Sequence, residues 1–220
     1  MASRIIHLAI CKQLEEFIDV SDVNRLRIGN VLPDAIIRGQ KAHATSHYKL
    51  TVCEGKKKMM DFTSFHKQFS TKLLEDSLYL GYYFHLIEDA MYRKFLYYDY
   101  KLGGNRGQEI LEALHNDYAI LNGYLVKTYK LTNTLKVPEH FAEDEINKIY
   151  PFILEEFLLD MTNDFNFSTD EKTKYFTEDM AKEFIRKCIT ICRIEFEKIQ
   201  IVNHVLIHLS LPGINNEYYL

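Results

Sequence analysis

Residues 73–98 read LLEDSLYLGYYFHLIEDAMYRKFLYY, with no proline and a single glycine, Gly81. A run rich in Leu, Tyr and Phe at helical spacing predicts one long helix from Leu73 to about Tyr98. Upstream, residues 61–69 read as a short amphipathic helix. Residues 35–60 lose any period and contain Lys56-Lys57-Lys58, which marks an irregular surface segment. Ile6, Ile10, Leu14, Phe17 and Ile18 give residues 3 to about 19 one wet and one dry face, again helical. Ser21-Asp22 can cap a short second helix that ends at Gly29-Asn30, after which Pro33 forces the chain extended or into a turn. Downstream, the break falls at Gly103-Gly104. A helix follows over about 108–129, its buried stripe marked by Leu111, Leu114, Tyr118, Leu121 and Leu125. Pro138 and Pro151 suit the first turns of two short helices, and Ser168 with Glu171 fits a capping box. Thr177 can cap a last long helix to about Leu209. No strand-like alternation of useful length and no internal repeat interrupt this pattern. The expected class is all-α, a multi-helix bundle forming a single domain over residues 1–220.

Composition agrees with that class and excludes others. Gly (9) and Pro (4) are scarce in 220 residues, while 47% of the chain is apolar, so long regular elements are favoured over disorder. Lys and Arg (27) against Asp and Glu (31) leave a net charge of −4, which offers no bulk attraction to phosphate backbones or anionic lipid. Nucleic acid is therefore a disfavoured partner. Cys11, Cys53, Cys188 and Cys192 have neither disulfide-scaffold density nor metal-knuckle spacing, as expected of buried thiols in a reducing compartment. The apolar start Ile5 to Cys11 is cut short by Lys12 and Glu15-Glu16, and no apolar run reaches the roughly 18 residues of a membrane helix. The expectation is a cytoplasmic protein without a transmembrane segment. A glycine-rich phosphate loop, a GxSxG elbow and a basic helix interleaved with aromatics are all missing.

The strongest chemical signal lies inside the opening stretch, at Gly81-Tyr82-Tyr83-Phe84-His85-Leu86-Ile87-Glu88-Asp89. His85 and Asp89, four apart on a helix, stack on one face and can chelate one cation. Gly81 lies one turn earlier on that face, where a missing side chain lets a helix or an ion approach. The competing reading is a His-Asp hydrogen bond on a helix surface. His7 shares the inward stripe of Ile10, Cys11, Leu14 and Ile18, so it is either a ligand or a hydrogen-bonded core histidine. Asp34 follows Leu32-Pro33 and could equally serve a turn. His47, within Ser46-His47-Tyr48, falls in a segment that could be a solvated loop.

Together, His7, Gly29-Asn30-Val31-Leu32-Pro33-Asp34, Ser46-His47-Tyr48 and the 81–89 stretch occur in an order and spacing that resembles the zinc-dependent phospholipase C family. The match covers roughly the first 130 residues and looks like a short bacterial member. The resemblance implies an all-helical fold with a zinc cluster between helices, shared at superfamily level with the S1/P1-type nucleases. It implies that His47, His85, Asp34 and Asp89 hold one zinc, and that His7 holds a second, bridged by Asp89. Other divalent metals are compatible with such a set. Two neighbouring ions would polarise a phosphoryl oxygen and acidify a shared water, with Asp34 accepting a proton from it. The implied activity is hydrolysis of a small-molecule or lipid phosphodiester. The alternatives are a non-catalytic helical binding module stabilised by metal, or a nuclease-like phosphodiesterase.

Two parts of the family pattern have no counterpart here. The chain has no tryptophan, whereas secreted members use the amino group of a processed N-terminal Trp as a ligand. An HxxxE element is also missing: at His115-Asn116-Asp117-Tyr118-Ala119 an alanine stands at the carboxylate position. His115 or Asp117 could add a metal or substrate contact, or could sit on a polar helix rim. His204 and His208 have ligand spacing but lie opposite the stripe of Ala181, Phe184, Ile185, Cys188, Cys192, Ile199, Val202 and Leu206, so they are expected outside the site. Cys188 and Cys192 lie on that stripe and read as packing residues.

Overall fold

Asp22 accepts a hydrogen bond from the Arg25 amide at 2.9 Å and starts a helix, just as Ser3, Asp61, Asp76 and Thr177 each accept from a first-turn amide of their own helices. The computed structural model describes residues 2–37, 40–52, 57–102 and 107–201. Its helices are α1 (Arg4–Leu14), α2 (Val23–Val31), α3 (Gln40–Ser46), α4 (Phe62–Phe69), α5 (Lys72–Glu75), α6 (Ser77–Lys94), α7 (Gly107–Thr128), α8 (Leu154–Asn166) and α9 (Glu178–Ile201). A 3-10 turn at Leu32–Asp34 follows α2, and a π-helical turn at Phe95–Asp99 follows α6. One antiparallel hairpin, β1 (Lys49–Val52) with β2 (Lys57–Met60), pairs Lys49 with Met60 and Val52 with Lys57. The protein is all-α in class. Among the described residues, no helix is long and apolar enough to cross a membrane.

The central helix is α6, in which every residue from Ser77 to Tyr92 is buried. Its surroundings are apolar on nearly all sides: Phe65 and Phe69 of α4, Ile6 and Ile10 of α1, Leu121 and Leu125 of α7, and Phe184 and Cys188 of α9 all join one buried cluster with it. Full burial of side chains of that size contributes roughly 1.5–3 kcal/mol each. The closest packing is between α2 and α6, and two glycines permit it. A Cβ on Gly29 would lie 2.0 Å from the Leu78 carbonyl oxygen, and one on Gly81 would lie 2.1 Å from that of Leu26. This contact brings Asn30 against His85 and Glu88.

Several boundaries differ from the sequence expectation. The single helix expected over 73–98 is divided at Asp76, whose backbone is extended. Its carboxylate accepts from the Leu78 amide and from two nitrogens of Arg25 at 2.8 and 2.7 Å, so a polar residue that fits a helix rim instead pins a break. Helix α1 stops at Leu14 because the Glu16 and Phe17 amides tighten onto carbonyls three residues back. Gly29-Asn30 does not end α2 but lies within it. The segment 35–60 is not irregular throughout. It contains α3 and the hairpin, closed where Tyr48 turns the chain with φ 49° and the Asp61 amide bonds the Tyr48 carbonyl at 2.8 Å. Pro138 and Pro151 precede, rather than enter, the 3-10 turns Phe141–Glu143 and Glu145–Lys148 and helix α8. No helix starts at Ser168. The break at Gly103-Gly104, the carboxyl end of the last helix, and His204 and His208 lie outside the described residues.

Candidate metal centre

Four elements converge on one buried point. The inward stripe of α1 carries His7. The 3-10 turn that Pro33 opens after α2 carries Asp34. His47 follows directly on α3, and His85 and Asp89 project one turn apart from α6. The side chains of His7, His47 and His85 are fully buried, and Asp34 retains 12% exposure. The five residues expected as ligands are thereby brought together, in two groups that share His85: His7, His85 and Asp89, and Asp34, His47 and His85.

The distances between the facing atoms fit one coordination sphere or two adjoining ones. His47 Nε2 lies 3.2 Å from His85 Nε2, 3.3 Å from Asp34 Oδ1 and 3.6 Å from Asp89 Oδ2. His7 Nε2 lies 3.7 Å from Asp89 Oδ1. A tetrahedral ion with bonds of about 2.1 Å has ligand atoms about 3.4 Å apart, the edge of the tetrahedron. The His7 and His85 rings stack at 4.1 Å between centroids.

The other nitrogen of each ring faces a hydrogen-bond acceptor. His7 Nδ1 faces Glu88 Oε2 at 2.5 Å, His85 Nδ1 faces the Asn30 carbonyl oxygen at 2.9 Å and His47 Nδ1 faces the His43 carbonyl oxygen at 3.0 Å. These oxygens accept from Nδ1–H groups: His85, held neutral, donates to the Asn30 carbonyl and presents its Nε2 lone pair, and His7 donates to Glu88, while His47 Nδ1 also meets the Nδ1 of His43 and the Ser46 hydroxyl. Three imidazole Nε2 atoms and two carboxylates therefore face one buried point, and His7 Nε2 and Asp89 Oδ2 have no hydrogen-bond partner. Buried carboxylates are costly unless a cation joins them, a proton on an imidazole or a metal ion.

Electrostatics follow from that geometry. Burial opposes protonation of His7, yet the hydrogen bonds and charges of Asp89 and Glu88 lift it to about 10. Burial and the charge of His7 hold His85 down at about 3, against the pull of Asp34 and Asp89. Burial also works against ionising Asp34 and Asp89; contact with His47 and the charge of His85 outweigh it for Asp34, and Asp89 is likewise held below the usual carboxylate range, with His7, His85 and His47 among the positive groups that act on it.

Three contributors were not legible as such in the sequence. Glu88 holds His7 through one carboxylate oxygen and receives Asn30 Nδ2 on the other at 3.0 Å. Asn30 thus orients His85 through its carbonyl and Glu88 through its amide. His43 supports His47 through its backbone and also through its ring, 2.7 Å from Nδ1 to Nδ1. Such outer contacts fix ring orientation and ligand basicity. Glu88 stands beside Asp89 and three positions after His85, a placement that could have signalled its burial.

His115 and Asp117 do not join the cluster. His115 is exposed and its ring lies 5.9 Å from that of Tyr118. Asp117 is buried, and its two oxygens accept the amides of Lys174, Tyr175 and Phe176 at 2.7, 2.7 and 2.8 Å. Its role is to clamp the segment between α8 and α9. The backbone nitrogen of Ala2 donates to Asp89 Oδ1 at 3.2 Å, tying the start of the described chain to the site. Compared with family models, curated proteins and solved structures, the chain matches none.

Proposed function

We propose that His7, Asp34, His47, His85 and Asp89 hold one or two divalent ions, zinc before others, and that the protein hydrolyses phosphodiester bonds. The observation that carries the metal is the pair of buried groups that share His85, with the ligand atoms of each within 4.8 Å of one another and with His7 Nε2 and Asp89 Oδ2 lacking any hydrogen-bond partner. Nitrogen and carboxylate donors at this spacing suit zinc better than a hard cation such as magnesium, which keeps most of its waters. Asp89 is suited to bridge, since Oδ1 faces His7 while Oδ2 faces His47.

The reaction class rests on the similarity of the His7, Asp34, His47, His85 and Asp89 pattern to zinc-dependent phospholipase C. A bound metal pair supplies Lewis acidity toward a phosphoryl oxygen and lowers the pKa of water. Asp34, the ligand with surface exposure, takes the proton of the attacking water and passes it to solvent. The substrate is a small-molecule or lipid phosphodiester. Full burial of the three imidazoles favours a second reading, a metal that stabilises the bundle without catalysis. Elemental analysis after metal-free purification and zinc reconstitution, followed by assay on bis(p-nitrophenyl) phosphate, separates them. Zinc with turnover supports hydrolysis, zinc without turnover supports the stabilising role, and no zinc rejects both.

A further inference from the structure

The arginines Arg4, Arg25 and Arg27 are each spent on carboxylates, and Arg193 lies over the Phe17 ring. Arg93 differs. It is half-buried on α6, one turn beyond Asp89, and it makes no hydrogen bond or ion pair among the described residues. Helical side chains lean toward the amino terminus of their helix, so Arg93 lies over the turn that begins at Asp89. The Asp89 and Tyr97 charges act on it, and burial with no direct partner holds its pKa below the usual arginine value. A guanidinium removed from water without a partner is costly, and such a cost persists where a ligand relieves it.

Tyr92 and Tyr118 are joined hydroxyl to hydroxyl, and both feel the charges of Asp89 and Tyr97. Asp89, Arg93 and Tyr97 follow one another at four-residue spacing along α6 and the π-helical turn after it. A planar fork of N–H donors, carried one helical turn after Asp89, is the group that matches phosphoryl oxygens.

We infer that Arg93 is a substrate-binding residue that grips the non-bridging oxygens of a phosphoryl group and holds it against the centre formed by His7, His85 and Asp89. This inference rests on the phosphodiester reading above and adds the anion contact which that reading lacks. The binding chemistry is shared by a lipid headgroup and a free phosphate, and only the phosphoryl end is recognised by Arg93.

The test uses the full chain, with and without reconstituted zinc, as wild type, Arg93→Gln and Arg93→Lys. Zinc content is measured first, then binding of inorganic phosphate and of monomeric short-chain phosphatidylcholine in separate titrations. Expected is unchanged zinc content in all three proteins and a loss of roughly 10- to 100-fold in affinity for at least one probe in Arg93→Gln, with partial recovery in Arg93→Lys, as a lost charged hydrogen bond predicts. Which probe responds identifies the source of the phosphoryl group. Equal affinity of wild type and Arg93→Gln for both probes, or no binding of either by folded wild type, overturns the role of Arg93. Failure of zinc uptake instead overturns the metal reading, and the zinc-free titrations still decide whether Arg93 holds phosphate.

Discussion

The Nε2 atoms of His47 and His85 face each other at 3.2 Å, while the Nδ1 of each ring points at a backbone carbonyl oxygen. Two lone pairs in that position repel unless a proton or a metal lies between them. The same relationship binds three distant parts of the chain into one unit, because the carbonyls belong to Asn30 of α2 and His43 of α3, while His85 belongs to α6.

Glu88 is expected to govern metal affinity without touching the metal. Its two oxygens receive His7 Nδ1 and Asn30 Nδ2. Glu88→Gln keeps the size but turns an N–H group toward one of those donors. Zinc affinity should fall about 10- to 100-fold, the usual cost of losing an outer-shell partner. Chelator-competition titration measures it, and an unchanged affinity would show that Glu88 is only a packing residue.

Asp117 should matter to stability and not to metal. Asp117→Ala strands three amides, one of them on fully buried Phe176. Unfolding in denaturant should show a loss of about 2–4 kcal/mol, at 1–3 kcal/mol for each buried donor left unpaired with partial rescue by water. Zinc stoichiometry should stay that of wild type. A lost equivalent of zinc would return Asp117 to the ligand set.

Gly81→Ala should destabilise strongly even though alanine is the better helix former by about 1 kcal/mol. The added Cβ would sit 2.1 Å from the Leu26 carbonyl oxygen, against backbone that cannot swing aside. Separation of α2 from α6 would also draw the Asn30 carbonyl away from His85. Denaturant unfolding should register a net loss of about 1–3 kcal/mol, as for other overpacked cores. A gain in stability would show that the two helices are free to separate.

Much of this was readable from periodicity. Helices α1, α4, α7 and α9 have apolar stripes long enough to reveal themselves, α2 is marked by its cap at Asp22, and Asp61 and Thr177 likewise stand where helix starts need them. Helix α3 has too few residues to show a stripe, and its buried end is the polar pair Ser46 and His47. The hairpin is short and lysine-rich, so its alternation was hidden. The α5–α6 break was invisible because Asp76 satisfies a helix rim and a cap equally well, and only its contact with Arg25, distant in sequence, decides between them. For the site, the five side chains expected as ligands are gathered by the fold, whereas Glu88 and Asn30 act through contacts across α1, α2 and α6 that spacing along one helix does not encode.

Zinc titration of wild type beside Asp89→Asn, with a competing chelator, tests the central claim most directly. Asp89 offers one oxygen toward His7 and the other toward His47, so the substitution removes a charge and one ligand oxygen at the junction of both groups. Wild type should bind one or two equivalents tightly, and Asp89→Asn should lose at least one equivalent or weaken by more than about 100-fold, as loss of a direct charged ligand should exceed the 10- to 100-fold cost of an outer-shell partner. Equal stoichiometry and affinity in the two proteins, or no uptake by wild type, would contradict a metal centre at this site.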